Sequence, residues 1–105
     1  MKTIHINQRQ PEECTCIEHV RQEIDAIDST IINLLAQRFA YVREVVKYKG
    51  SDHASIEAND RRQQVIQCRS QWAEELGLSP EVIGDIWDRL IAYFIEEEKK
   101  IAQNK

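Results

Sequence analysis

The chain has 105 residues, 42% of them hydrophobic, and its 18 acidic against 14 basic residues give a formal net charge of −4. A chain of this length forms one small domain, and the negative charge argues against a general nucleic-acid binder, which needs a basic face to release counterions from phosphates. No apolar run approaches the ~20 residues that span a bilayer, and the N-terminal stretch lacks the apolar segment of a signal peptide, so we expect a cytoplasmic protein without a membrane partner.

The cysteine pattern argues against disulfides and against a structural metal. Cys14, Cys16 and Cys68 are an odd number, which does not suit a disulfide framework in a reducing compartment. The first two lie near His19 in the run CTCIEH, but that spacing fits no standard zinc pattern and no second ligand pair follows it. We therefore expect no metal site.

An apolar seam marks the first predicted helix. Thr15 followed by Glu18 is typical of a capping box at a helix start, and Gly50 offers a stop. Apolar and aromatic residues recur between them at alternating steps of three and four: Ile17, Val20, Ile24, Ile27, Ile31, Leu34, Tyr41, Val45 and Tyr48. This spacing predicts a helix over about 16–49, in which Arg38 breaks the series.

The length of this predicted helix favours self-association. It would extend about 50 Å, whereas a compact chain of this size has a radius of gyration of about 13 Å. Its own chain therefore cannot bury the whole seam, but two copies can bury each other's. We expect a homodimer.

Two further helices are predicted after a polar connector over residues 50–58. One face of the second helix is marked by Arg61, Val65, Cys68, Trp72 and Leu76, before Gly77. Ser79 as N-cap and Pro80 at the first position begin the third helix. Its stripe contains Ile83, Trp87, Leu90, Phe94 and Ile101, with Glu98 in the last gap. The pattern predicts an all-α fold with helices over about 16–49, 59–76 and 80–103, in a domain over 15–105; residues 1–14 form an N-terminal extension whose order is left open.

Charged residues stand where the helical patterns expect apolar ones. Arg38, Arg61 and Glu98 interrupt the three stripes, and Lys49 lies on a neighbouring face at the end of the first helix. Each alone is explained by a register-setting polar contact, a side chain that reaches water, or a buried salt bridge. Together they leave a positive surplus, because Glu98 can neutralise only one of the cations. A small ligand with carboxylates or phosphates would supply the missing charge if the helices face each other.

These positions resemble the signature of the all-helical (AroQ-type) chorismate mutase family, which includes the isochorismate-pyruvate lyases of salicylate synthesis. The family pattern is an arginine, a second 17 residues later, a lysine 11 further, an arginine after 12 more, and Gln or Glu 37 beyond. The chain has Arg21, Arg38, Lys49, Arg61 and Glu98 at those spacings. The similarity runs from PEECTCIEHV through DRR to RLIAYFIEEE.

The resemblance implies an intertwined homodimer whose two active sites use no metal or organic cofactor. Arg38 and Arg21, the latter from the partner subunit, would hold the carboxylates of a dianionic substrate. Arg61 would lie near the ring, and Lys49 with Glu98 would flank the ether oxygen. Rearrangement of chorismate to prephenate is pericyclic, so such a site acts by holding a reactive conformer and placing donors where negative charge grows. Glu98 can donate a hydrogen bond only when protonated, so activity is expected to fall as pH rises.

Departures from the family pattern bear on the choice of reaction. Many mutases carry acidic residues three before and one after the arginine at position 61, where this chain has Ala58 and Arg62. The leader PEECT and the segment QWAEELGL look more like the lyase branch, which eliminates pyruvate from isochorismate, but that branch usually has Gln in place of Glu98. The resemblance thus implies a chorismate mutase first, an isochorismate-pyruvate lyase or a dual activity as the alternative, and a non-catalytic helical dimer that binds a small dianion as a third interpretation. Residues 50–58 are expected to close over the ligand.

Overall fold

The protein is all-α, with three helices in the part of the chain that the computed structural model describes, residues 6–49 and 59–104. The elements in chain order are a 3-10 turn at Pro11–Glu13, α1 at Ile17–Val45, a second 3-10 turn at Val46–Tyr48, α2 at Asn59–Glu75 and α3 at Pro80–Gln103. The predicted fold class and the three predicted helices are confirmed. Within the described residues, no helix combines the length and the apolar composition that a bilayer-spanning segment needs.

Several predictions concern residues outside the described ranges. They are the polar connector over 50–58, its closure over a ligand, the helix stop at Gly50 and the neutral residue Ala58.

The start of α1 differs from the prediction. The helix begins at Ile17, so Thr15 lies too early to be its N-cap. Its backbone N–H instead donates to Nδ1 of His19 at 3.3 Å, and its Oγ1 lies 3.2 Å from the same nitrogen. The predicted capping box between Thr15 and Glu18 is therefore wrong, because the imidazole one turn along satisfies the hydroxyl that a cap would use.

The junction between α2 and α3 follows the sequence signals closely. Gly77 has φ +79°, in the left-handed region that a side chain would disfavour, and the N–H of Leu78 donates to the Ala73 carbonyl at 2.8 Å. Ser79 then caps α3, since its Oγ accepts the N–H of Val82 at 3.2 Å with Pro80 at the first helical position. Both chain reversal and helix start are thus decided within four residues.

The described residues form two compact units that divide within α1, between Ala40 and Tyr41. All of the buried apolar residues lie in the second unit: Val46, Val65, Ala73, Phe94, Ile95 and Ala102. Val46, only 1% exposed, packs with Ile95 and Ala102 and so fixes the second 3-10 turn against α3. Helices α2 and α3 run antiparallel, because Ser70 bonds to Pro80 while Arg62, earlier on α2, bonds to Asp88, later on α3.

The first unit has a different character, because none of its described residues is buried. Its N-terminal segment is attached to α1 through Glu23. The Glu23 carboxylate accepts the backbone N–H of Gln8 at 3.1 Å and Nη1 of Arg9 at 3.3 Å, and Asn7 donates from its amide to the Glu23 carbonyl at 3.0 Å. These bonds order residues 7–9 along the first turns of the helix.

Candidate active site

The structure brings Lys49 and Glu98 together across 49 positions of the sequence. Nζ of Lys49 lies 3.4 Å from both carboxylate oxygens of Glu98. Val46 packs on Ile95 and Ala102, which flank Glu98 on α3, so the end of the 3-10 turn delivers Lys49 to the carboxylate. The two residues that were expected to flank an ether oxygen therefore lie side by side in the second unit.

The burial of this pair matters for its chemistry. Glu98 is 6% exposed, whereas the side chain of Lys49 is 22% exposed and so borders solvent. The separation of 3.4 Å is longer than the ~2.7–2.9 Å of a strong charge-assisted hydrogen bond. Nζ of Lys49 therefore lies at the border of solvent, while the Glu98 carboxyl group lies in the core.

Arg61 stands in the first turn of α2, exposed to solvent. Among the residues that the structure describes, it has no ion-pair or hydrogen-bond partner. Its guanidinium donors therefore face solvent rather than a described acceptor, and its expected place near the ring of a ligand stays a prediction.

Arg62, the next residue, is instead firmly bound. Its Nε and Nη2 lie 3.1 and 2.8 Å from Oδ1 of Asp88, and Nη2 also donates to the Asp88 backbone carbonyl at 3.3 Å. Sequence reasoning missed this pair, because neither residue interrupts an apolar stripe and a spacing of 26 residues carries no helical signal.

The other two predicted site residues, Arg21 and Arg38, belong to the first unit. Arg38 is half-buried on α1. Arg21 is exposed and donates from Nη1 to Glu18 Oε1 at 3.2 Å, the geometry of an ordinary surface pair one turn apart. The structure thus assembles Lys49 with Glu98 in one unit and describes the two α1 arginines within the other.

Within residues 6–49 and 59–104, no three His, Cys, Asp or Glu side chains are grouped so that they could hold a metal ion. Cys14, Cys16 and Cys68 are free thiols.

Comparison with known proteins identifies a family and relatives that cover most of the chain. A model of the family described as chorismate mutase type II matches residues 20–99, a range that begins just before Arg21 and ends just after Glu98. An isochorismate pyruvate lyase of Pseudomonas aeruginosa is 34% identical over 90 residues, which are 86% of this chain and 88% of that protein. T-proteins of Enterobacter agglomerans and Haemophilus influenzae are 32% and 33% identical over 76% and 71% of this chain, but the matched parts are only 22% and 20% of their lengths.

The family model and the lyase comparison both cover most of the chain, and the range of the family model includes both Lys49 and Glu98. The chain therefore belongs to the chorismate mutase type II family.

Proposed function

We propose that this protein binds a chorismate-type dianion and cleaves the ether bond of its enolpyruvyl side chain, with elimination of pyruvate from isochorismate as the first candidate reaction. The observation that carries the proposal is the Lys49–Glu98 pair, a cationic donor held beside a buried carboxyl group in a member of this family. Rearrangement of chorismate to prephenate is the second candidate, and a non-catalytic dimer that binds the dianion is the third.

The order of the two reactions rests on the extent of similarity. Sequence patterns alone put the mutase first. The isochorismate pyruvate lyase, however, matches this chain over 88% of its own length, whereas the T-proteins match over about a fifth of theirs. Arg62 also favours the lyase reaction over the mutase reaction. Asp88 binds the Arg62 side chain, so the position beside Arg61 offers no acceptor for a ring hydroxyl.

The proposed chemistry needs no nucleophile. In the lyase reaction the ether bond between ring and side chain breaks while one ring hydrogen moves to the methylene carbon, so isochorismate gives salicylate and pyruvate with all atoms accounted for. In the mutase reaction the same ether bond breaks while a new carbon–carbon bond forms. Negative charge grows on the ether oxygen in both, so a fixed donor beside that oxygen lowers both barriers.

Each predicted residue then has a role in the proposal. Lys49 donates to the ether oxygen, and Glu98 in its protonated form donates on the same side. Arg38 and Arg21 of the partner subunit bind the carboxylates, and Arg61 contacts the dianion near its ring. The arginines hold the dianion in a reactive conformer, so that binding energy offsets part of the activation barrier.

The homodimer is part of the proposal, and the first unit supports it. Six aliphatic side chains on α1, each 38–61% exposed, form a seam at steps of three and four: Ile17, Val20, Ile24, Ile27, Ile31 and Leu34. Burying the exposed half of each contributes about 1 kcal/mol per residue. An α-helix without a buried face is marginal in water, so a second copy that covers this seam would stabilise it.

Turnover assays test the proposal directly. Purified protein is incubated separately with isochorismate and chorismate, and salicylate plus pyruvate are resolved from prephenate. The proposal expects kcat/KM to be higher for isochorismate. Higher kcat/KM for chorismate would reverse the order, and binding of a dianionic analogue by calorimetry without turnover of either compound would leave only the third candidate.

A further inference from the structure

The bonds between Arg62 and Asp88 single out the first turn of α2. This turn carries Arg61 and follows directly on the residues that lead from Lys49. Helix ends fray unless side chains or packing hold them. The first buried residue of α2 is Val65, so the turn before it has little apolar anchoring of its own.

Arg62 connects this turn to α3 through hydrogen bonds to Asp88. Two of its nitrogens contact Asp88 Oδ1, and one of them also contacts the Asp88 carbonyl. The Arg62 side chain is 24% exposed and the Asp88 side chain 56%, so the pair lies at the surface of the hairpin. A fork of this kind fixes direction as well as distance, which a single lysine bond would not do.

The opposite end of the hairpin is fixed separately. Ser70 Oγ donates to the Pro80 carbonyl at 3.1 Å, and Gly84 allows α3 to approach Ser70 closely. Because two distant attachments define the direction of a helix, loss of the Arg62 attachment leaves α2 held at its C-terminal end while its first turn is released.

We propose that Arg62 is a positioning residue: its fork on Asp88 holds the first turn of α2 so that Arg61 is presented to the bound dianion. This rests on the proposed function, because Arg61 is given its ligand there. Arg61 and Arg62 are neighbours about 100° apart around the helix axis, so fixing one side chain on α3 sets the direction in which the other points. Asp88 precedes Glu98 by ten residues, about 15 Å along α3, a separation that an arginine and an elongated dianion together can span.

The test removes the pair from either side. Arg62→Ala and Asp88→Ala should each raise KM about three- to tenfold, as expected for losing a hydrogen-bonded ion pair at the protein surface, while kcat changes less than twofold. In an Arg61→Ala background, Arg62→Ala should cause no further fall in kcat/KM, because its effect passes through Arg61. Lys100→Ala is the matched control, since it removes an exposed ion pair to Glu97 elsewhere on α3.

Amide hydrogen exchange of the ligand-free protein gives a readout that does not depend on turnover. Residues 63–66, whose amides are the first to bond within α2, should lose protection in Arg62→Ala and Asp88→Ala, but not in Lys100→Ala. Unchanged protection there, or an Arg62→Ala penalty that is the same with and without Arg61, overturns the inference. If the wild-type protein turns over neither substrate, the proposed function fails, and the exchange result still decides whether Arg62 holds the turn.

Discussion

Lys49→Ala separates the catalytic from the structural contribution of the candidate site. The substitution removes the ammonium group from its place 3.4 Å from the Glu98 carboxylate, which remains buried at 6% exposure. A charge pair at this distance is worth roughly 5 kcal/mol at an effective dielectric constant of ~20. Solvent access to Lys49 reduces that value, so we expect the free energy of unfolding to fall by about 2–3 kcal/mol.

The expected loss of activity is larger than the loss of stability explains. Removing one donor from the position where charge develops typically lowers kcat by about 10²–10³-fold. Adding Glu98→Gln to Lys49→Ala removes the buried charge, so the double variant should regain part of the stability without regaining kcat. This divergence between the two measurements marks Lys49 as a donor in the reaction.

The assay combines steady-state kinetics with urea unfolding followed by circular dichroism. Lys47→Ala is the control, because Lys47 lies in the 3-10 turn that precedes Lys49 and its ion pair with Glu44 is exposed. Its kcat should stay within twofold of the wild type. A Lys49→Ala variant as active as Lys47→Ala would refute the role of Lys49, and recovery of kcat in the double variant would show that the loss came from stability.

Further variants test the carboxyl group, the seam and the hairpin. Wild-type kcat/KM should fall as pH rises, because the Glu98 carboxyl donates a hydrogen bond only when protonated. Glu98→Gln donates from its amide at any pH and should flatten the pH–rate profile. Superimposable profiles of the two proteins would contradict the role of Glu98 as a donor. Ile24→Asp places a charge on the half-exposed seam of α1 and should shift the protein from dimer to monomer in sedimentation. Ser29→Asp, about 140° away around the helix, should leave the dimer intact. The same sedimenting mass for both variants would argue against the seam as the interface. Gly84→Ala brings a Cβ to 2.8 Å from Ser70 Oγ and should lower the free energy of unfolding, measured in urea, by about 1–2 kcal/mol. Adding Ser70→Ala should restore part of this loss. An unfolding curve like that of the wild type would show that the two helices can accommodate the extra methyl group.

Local signals account for most of what could be predicted about the fold. Apolar spacing predicted helices over about 16–49, 59–76 and 80–103, and the structure has α1 at Ile17–Val45, α2 at Asn59–Glu75 and α3 at Pro80–Gln103. The end of the first helix is less regular than predicted, because the chain tightens into a 3-10 turn at Val46–Tyr48. The signal for a cap at Thr15 failed because His19 competes for the same side chain, a contact that propensity does not register.

The candidate site could be predicted only in part. Glu98 was recognisable as a charge in an apolar stripe, and the family spacing linked it to Lys49. Neither signal revealed the ion pair between Arg62 and Asp88, because both are charged residues of the kind found on any solvent-exposed helix face.

The sequence by itself determined where the helices lie, how α3 begins at Ser79 and Pro80, and which charged residues are out of place on apolar faces. These are properties of neighbours within one or two helical turns, where spacing and capping act directly. Tertiary structure decided that Val46 packs on Ile95 and thereby brings Lys49 to Glu98. It also decided that Asp88 binds Arg62, whereas Arg61 stays exposed to solvent. Contacts across 26 to 49 residues depend on which helix faces bury one another, and that choice is made by the packing of the whole unit.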